Sequence, residues 1–163
     1  MADVFDAQKR SAVMSNIRGR GNKSTEQALT ALLRKAHITG WRRHIELRPR
    51  PSSIDVGHVQ LTKSHRVKVR PDFVFQKHKT AIFLDGCFWH GCPLHFKRPQ
   101  QNAEFWEKKL ADNAHRDVVQ TRALEAAGWT VVRIWEHELS DTPRTLECIM
   151  LALRGRLPAR RPC

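Results

Sequence analysis

The stretch from Thr80 to Phe96, T-A-I-F-L-D-G-C-F-W-H-G-C-P-L-H-F, constrains the fold and the chemistry of this chain more than any other stretch. Its apolar run Ala81–Leu84 has the length and composition of a buried strand. Asp85 ends the run, and Gly86 then permits a sharp turn. Thiols, imidazoles and aromatic rings follow within a few positions. The sequence therefore predicts a strand whose end carries metal ligands.

Cys87, Cys92 and His95 form the pattern C-x4-C-x2-H directly after this strand. Zn²⁺ in structural sites takes four nitrogen and sulfur ligands in a tetrahedron, so these three residues predict a zinc site that needs a fourth ligand. Plain core packing is the alternative for the two cysteines. Three ligand-type residues so close together favour zinc.

His137 is the predicted fourth zinc ligand. It follows a predicted strand that ends at Trp135, and this strand is expected to run beside the strand that ends at Asp85. Cys148 is the alternative ligand, although its position on a predicted helix among leucines better fits a buried free cysteine.

Asp72 and Asp85 are predicted to meet at one end of two strands. Residues 73–75 and 81–84 are close enough in the chain to pair as a hairpin, which brings both carboxylates to the same edge. Converging carboxylates suit Mg²⁺. For each aspartate the alternative is a strand-end residue without a chemical role, but an acid inside K-V-R-P-D-F-V-F is costly to bury unpaired.

His90, between the two cysteines, is a candidate general base that activates water. Asp117, on a long predicted helix, is a candidate partner that orients it. A surface histidine and an exposed helix aspartate are the alternatives. Glu26 lies in the first turn of another predicted helix, where the helix dipole alone accounts for an acid.

Phe88, Trp89 and Trp106 are candidate DNA-contacting aromatic residues, with core packing as the default alternative. Phe88 and Trp89 lie between predicted zinc ligands, so both cannot easily face inward while the flanking cysteines bind one metal. Aromatic rings held rigid and pointing outward can act as wedges between stacked bases.

The charge of the chain indicates a polyanionic partner. Lys and Arg number 29 against 16 acids, giving a net charge of +13. An anionic membrane surface is the competing partner, but no basic amphipathic helix stands out, and no apolar run approaches the ~20 residues of a membrane span. The first ten residues contain acids and lack a signal-peptide core. We therefore expect a cytoplasmic protein whose cysteines are metal ligands or free thiols.

Hydrophobic periodicity predicts an α/β fold, with a mixed sheet and helices on both of its faces. The predicted helices run from Ser24 to Gly40, from Asn102 to Ala127 and from Thr142 to about Arg154. The predicted strands are 41–47, 67–75, 80–85 and 129–135. We expect one domain over 24–154, with an insertion at about 44–68 that contains a short strand, Val56–Leu61. A basic arm, 1–23, precedes this domain, and a basic tail, 155–163, follows it.

Four motifs together resemble the very-short-patch repair (Vsr) DNA mismatch endonuclease family: R-P-D-F-V-F, F-L-D-G-C-F-W-H-G-C-P, F-W-x-x-K-x-x-x-N-x-x-R-D and G-W-x-V-x-R-x-W-E-H-E-L. The likeness covers roughly residues 1–36 and 67–140. It implies a restriction-endonuclease-like sheet with a structural zinc site. The implied activity is a Mg²⁺-dependent, strand-specific nick 5′ of the thymine in T·G mismatches that arise from deamination of 5-methylcytosine. The 44–68 segment is longer than the usual link in this family.

The resemblance also implies roles for individual residues. Asp72 matches the metal-binding aspartate, His90 the catalytic histidine, Asp117 its supporting acid and Glu26 a glutamate of the N-terminal helix. The zinc positions fall on Cys87, Cys92, His95 and His137, and the aromatic wedge falls on Phe88, Trp89 and Trp106. Asp85 occupies a place where some members of the family carry a different residue, so its expected role in binding Mg²⁺ rests on the hairpin prediction and not on the resemblance.

The expected partner is duplex DNA with a T·G mismatch, bound by a monomer in the nucleoid, with mismatch-repair proteins as further partners. Two other functions fit the same residues less fully. A non-catalytic zinc DNA-binding module needs the zinc ligands and the charge but not Asp72 or His90. A related nuclease could act on another DNA structure.

Overall fold

The computed structural model describes residues 24–50, 53–56, 59–62 and 67–156. Its helices are α1 (Thr25–Lys35), α2 (Ala103–Ala126) and α3 (Thr142–Leu153). Its strands are β1 (Trp41–Arg43), β2 (Ser53–Val56), β3 (Val59–Thr62), β4 (Phe73–Phe75), β5 (Thr80–Asp85) and β6 (Thr130–Trp135). The predicted arm, 1–23, and nearly all of the predicted tail lie outside the described residues.

The main sheet has the strand order β1-β4-β5-β6. β4 pairs antiparallel with both β1 and β5, which confirms the predicted hairpin of residues 73–75 with 81–84. β5 pairs parallel with β6, and Asp85 lies opposite Trp135 in the last rung. The sheet is therefore mixed, as predicted, and the ends of β5 and β6 lie side by side.

Helices cover both faces of the sheet, and alternating strand residues separate two cores. On one face α1 and α3 pack against the sheet, through residues that include Leu29, Leu33, Phe73, Ile82, Ile134 and Ile149. On the other face the C-terminal part of α2 packs through Leu124 against Val74, Ala81 and Phe83. Because successive strand residues point to opposite faces, both faces of β4 and β5 are buried, which accounts for their continuous apolar runs.

Two predicted boundaries are wrong for the same local reason. α1 ends at Lys35 rather than at Gly40, and His37 then takes a left-handed φ of 54°. The strand predicted over residues 41–47 stops at Arg43, because His44 also has a left-handed φ, of 55°. A residue in this conformation cannot continue a helix or a strand.

The strand predicted over residues 67–75 is shorter than expected. An isolated antiparallel bridge joins Val69 to Leu47, and continuous pairing begins only at Phe73. Pro71 lies between the two and has no N–H to donate to a neighbouring strand.

The 44–68 segment contains a second, two-stranded sheet rather than one short strand over Val56–Leu61. β2 and β3 pair antiparallel, with Val56 opposite Val59. β2 lies beside α2. Among the residues that the structure describes, no helix combines the length and the apolar character needed to cross a membrane.

Candidate active site and metal centre

A cleft of about 660 Å³ lies at the C-terminal end of β5. Residues at the start of α1, in the turn after β5 and along α2 form its walls. Its acidic and imidazole side chains are Glu26, Asp72, Asp85, His90 and Asp117. The structure thus brings all five candidate catalytic and magnesium-binding residues to one cleft.

Cys87, Cys92, His95 and His137 lie together beside this cleft, with their ligand atoms all within 4.8 Å of one another. Sγ of Cys87 is 3.3 Å from Nδ1 of His137, and Sγ of Cys92 is 3.7 Å from Nδ1 of both histidines. A zinc tetrahedron with metal–ligand distances of about 2.0–2.3 Å has edges of about 3.3–3.8 Å. The four residues therefore fit Zn²⁺ in identity, number and spacing.

Cys148, the alternative fourth ligand, is not part of this group. It is buried in the core between α1 and α3, and it is disulfide-bonded, which corrects the expectation of a free thiol. His137 reaches the other three ligands because β6 runs parallel to β5 and ends beside it.

The turn that carries these ligands is held from two sides. The backbone N–H of Cys87 donates to the Glu136 carboxylate at 3.4 Å, and that of Cys92 donates to the Cys87 carbonyl at 2.9 Å. From α2, the buried Asn113 side chain donates to the Trp89 carbonyl at 2.9 Å. The residues between Cys87 and Cys92 are therefore fixed relative to α2 as well as to β6.

His90 belongs to a charged network at the end of β5. Its Nδ1 atom is 2.5 Å from Oδ2 of Asp117. Asp117 also contacts the Arg133 guanidinium at 3.1 Å, and Arg133 binds both carboxylate oxygens of Asp85 at 2.7 Å. These contacts hold the imidazole through its Nδ1 atom.

The charges of this network set its protonation states. Burial opposes ionisation of Asp117, but the His90 hydrogen bond and the Arg133 charge outweigh it and lower the pKa of Asp117. Burial also opposes the charge on Arg133, but the contacts with Asp85 and Asp117 raise the pKa of Arg133. Two carboxylates therefore share one guanidinium beside His90.

Asp72 lies in a second group, with Glu26 and His44, whose ligand atoms are within 4.8 Å of one another. Nε2 of His44 is 3.0 Å from Oε2 of Glu26, and the Asp72 carboxylate accepts a 2.8 Å hydrogen bond from the backbone N–H of Leu84. Burial raises the pKa of Asp72 to about 6, with the Leu84 hydrogen bond opposing the shift. A cation would offset the cost of keeping this carboxylate ionised.

The Asp72 and Asp85 carboxylates have different hydrogen-bond partners in the cleft. Asp72 and Asp85 do lie at the same end of the β4–β5 hairpin, as predicted. Their side chains nevertheless enter different groups, because both oxygens of Asp85 bind Arg133.

Phe88, Trp89 and Trp106 pack against one another. The Phe88 ring lies 5.3 Å from Trp89 and 5.2 Å from Trp106, with edge-to-face geometry in both pairs. Trp106 is only 9% exposed, whereas Phe88 and Trp89 are half-buried. Phe105, which is 59% exposed, contacts Trp106 and also lines the cleft.

Four residues of the site were not predicted from the sequence: His44, Phe105, Asn113 and Arg133. Asn113 and Arg133 both stand in the quoted motifs, and Asn113 is one helical turn from Asp117, so their signal was present. Phe105 is adjacent to Trp106. His44 has no local signal, because it lies beside Asp72 only through the pairing of β1 with β4 and through its own left-handed φ.

Comparison with known proteins gives consistent similarities. A family model described as DNA mismatch endonuclease Vsr matches residues 36–95. The type II nicking enzyme V.NaeI of Lentzea aerocolonigenes is 51% identical over 72 residues, which are 44% of this chain and 43% of that enzyme. V.XorIIP of Xanthomonas oryzae, also a type II nicking enzyme, is 30% identical over 142 residues, which are 86% of this chain and 89% of that enzyme. DNA mismatch endonuclease Vsr of Escherichia coli is 43% identical over 72 residues, or 43% of this chain and 46% of that protein.

Proposed function

This chain belongs to the Vsr family of DNA mismatch endonucleases, and we propose from that premise that it nicks one strand of duplex DNA 5′ of the thymine in a T·G mismatch. The observation that carries the proposal is the presence in one cleft of a partly buried aspartate, Asp72, and a histidine, His90, that a carboxylate orients. A non-catalytic DNA-binding module would need neither group.

His90 acts as the general base in this proposal. Its Nδ1 atom is engaged by Asp117, so the Nε2 atom accepts a proton from the water that attacks the phosphorus atom. The imidazolium that results is stabilised by the net negative charge of Asp85 and Asp117 beside a single arginine. Asp85 holds Arg133 in position through both of its carboxylate oxygens.

Asp72 holds the divalent cation. Mg²⁺, when bound there, supplies positive charge that stabilises the transition state and the leaving oxygen of the phosphodiester. A carboxylate oxygen of Glu26 lies within 4.8 Å of a carboxylate oxygen of Asp72, so Glu26 offers the cation a second carboxylate. A cation at this position also removes the cost of an ionised, largely buried aspartate.

Phe88 and Trp89 form the wedge that opens the helix at the mismatch, and the buried Trp106 supports them from behind. Unstacking costs least where pairing is already weak, so a wobble pair is selected partly by its deformability. Two of the four proposed zinc ligands, Cys87 and Cys92, flank Phe88 and Trp89 in the chain. Zinc bound there would restrain the turn that carries both aromatic residues.

The remaining assignments follow from this activity. The charge of +13 suits a protein that contacts phosphates along a duplex. We propose that it acts as a monomer on DNA of the nucleoid. The fold is assigned as restriction-endonuclease-like, since its mixed sheet carries the proposed catalytic groups at one strand end. Mismatch-repair proteins are the proposed further partners.

A nicking assay tests the function. End-labelled duplexes with one T·G pair, a T·A pair at the same position or a branch are incubated with the full-length protein, in Mg²⁺ and in EDTA. We expect a nick 5′ of the mismatched thymine in Mg²⁺ and no nick in EDTA. Equal cutting of the T·A duplex would reject mismatch specificity, preferred cutting of branched DNA would assign another substrate, and binding without any cutting would favour the non-catalytic module.

A further inference from the structure

We infer that His44 is a ligand of the divalent cation at the cleavage site, together with Glu26 and Asp72, and that this site takes Mn²⁺ in preference to Mg²⁺. The inference rests on the proposed function, because it assigns the ion to the nuclease cleft. It adds a nitrogen ligand to a site that the sequence suggested to be made of oxygens.

The spacing of the three side chains fits one octahedral ion. Their ligand atoms lie within 4.8 Å of one another, and Nε2 of His44 is 3.0 Å from Oε2 of Glu26. Adjacent ligands about 2.1 Å from an octahedral ion are about 3.0 Å apart. The His44–Glu26 pair therefore already has the separation of two neighbouring ligands.

The backbone of His44 departs from strand geometry to reach this position. Its φ of 55° is uncommon for a residue other than glycine, although histidine tolerates it better than most. The His44 N–H donates to the carbonyl of Asp72 at 3.3 Å, which ties the residue to the neighbouring strand end. This conformation ends β1 early and places the imidazole beside two carboxylates.

The guanidinium group of Arg43 lies beside two of these ligands, Glu26 and His44. An Nη atom of Arg43 contacts Oε2 of Glu26 and lies 3.4 Å from Nε2 of His44. The Nε atom of Arg43 is buried without a hydrogen-bond partner among the described residues. Since buried donors are rarely unsatisfied, an ion that binds Glu26 would release Arg43 from a poorly satisfied position. The Arg43 side chain is 32% exposed and so has a route to solvent or to a DNA phosphate.

The ligand set determines the preferred metal. Mg²⁺ is bound mainly by oxygen ligands and water, whereas an imidazole suits first-row transition metals. Carboxylates and water suit Mn²⁺ as they suit Mg²⁺, and Mn²⁺, as a first-row transition metal, binds a nitrogen ligand more readily than Mg²⁺ does. One histidine with two carboxylates therefore discriminates in favour of Mn²⁺.

Metal binding to the zinc-loaded, full-length protein without DNA tests the inference. Free Mn²⁺ is measured by electron paramagnetic resonance, and Mg²⁺ by competition. His44→Asn keeps a residue that tolerates a positive φ, and we expect it to weaken Mn²⁺ binding by at least about tenfold but Mg²⁺ binding by less than about threefold. His37→Asn is the matched control, because His37 is an exposed histidine with a φ of 54° outside the three-residue group.

A second measurement needs no variant. Electron spin echo modulation of Mn²⁺ bound to the unaltered protein should show coupling to an imidazole ¹⁴N nucleus, and its absence would overturn the inference. Equal Mn²⁺ affinity in His44→Asn and the unaltered protein would do the same. Nicking of T·G duplexes in Mg²⁺ is scored separately. A protein that binds Mn²⁺ through His44 without nicking rejects only the proposed function, and one that nicks without this dependence rejects only the inference.

Discussion

Oδ2 of Asp117 lies 2.5 Å from Nδ1 of His90, although the two residues belong to different elements. Asp117 is in the middle of α2, and His90 is in the turn after β5. The contact forms because Asn113, one helical turn before Asp117, holds the same turn through the Trp89 carbonyl. The helix thus fixes both the position and the orientation of the imidazole.

Asp117→Asn should abolish most nicking and leave DNA binding intact. An amide oxygen accepts a weaker hydrogen bond from the Nδ1–H group than a carboxylate does, and a neutral amide cannot stabilise an imidazolium. We therefore expect kcat to fall by about 10²–10⁴-fold. Single-turnover nicking and fluorescence anisotropy on one T·G duplex separate the two effects. Asp112→Asn, an exposed aspartate of the same helix, is the control. A nicking rate in Asp117→Asn equal to that of this control would contradict the role.

Arg133→Met should destabilise the fold by about 3–5 kcal/mol, because it leaves the Asp85 and Asp117 carboxylates without their shared cation. Urea denaturation at pH 7 measures this loss. Arg144→Met, at an exposed position on α3, should cost less than about 0.5 kcal/mol. Adding Asp85→Asn to Arg133→Met should restore part of the stability, since it removes the charge of the carboxylate that loses both of its contacts with Arg133. Similar losses in both single variants would show that the network contributes little.

Asp72→Asn should stabilise the metal-free protein at high pH while eliminating nicking. The pKa of this carboxyl rises from 3.8 to about 6 on folding, so its contribution to stability is complete below pH 3.8 and is lost as the pH rises to about 6. A difference of about two pKa units corresponds to roughly 3 kcal/mol. We expect the variant to gain about 1–3 kcal/mol at pH 8 and nothing at pH 4, as measured by urea denaturation in EDTA. A gain that is the same at both pH values would show that Asp72 is not the titrating group.

The purified protein should contain one zinc per chain, and His137→Ala should lose it. Loss of the metal should lower the melting temperature by about 5–15 °C. His78→Ala, an exposed histidine outside the cluster, should keep the zinc.

Burial raises the pKa of the Cys87 thiol, and nearby Cys92 adds to the shift. Since zinc binds the thiolate, its affinity should fall as the pH is lowered. Metal analysis and calorimetry check both points, and unaltered protein without zinc would reject the site.

Local patterns predicted the elements that are long or apolar. The strand predicted over residues 80–85 and the helix predicted from Asn102 to Ala127 each match an observed element within a residue or two of its limits. The zinc ligands could be proposed because three of them are close in sequence, while His137 required only that two strands run parallel. The pairing of Asp85 with Arg133 could not be predicted in the same way, because it depends on the register of β5 against β6.

The same limit explains why the different partners of Asp72 and Asp85 could not be predicted. A hairpin predicts which strand ends meet, but it does not predict which side chain a neighbouring arginine engages. His44 was missed because its position depends on a left-handed backbone that histidine adopts only occasionally. The features that could not be predicted from the sequence therefore depend mainly on interactions between segments that are distant in the chain.

The parallel register of β5 with β6 also limits which insertions and deletions the chain can tolerate. Strand side chains alternate between the two faces, so adding or removing one residue inside either strand would turn Asp85 or Arg133 toward the opposite core. That change would bury an unpaired charge and misplace the ligand-bearing turn in a single step. Length variation among related chains should therefore be confined to segments outside this pair of strands, as in the β2–β3 hairpin.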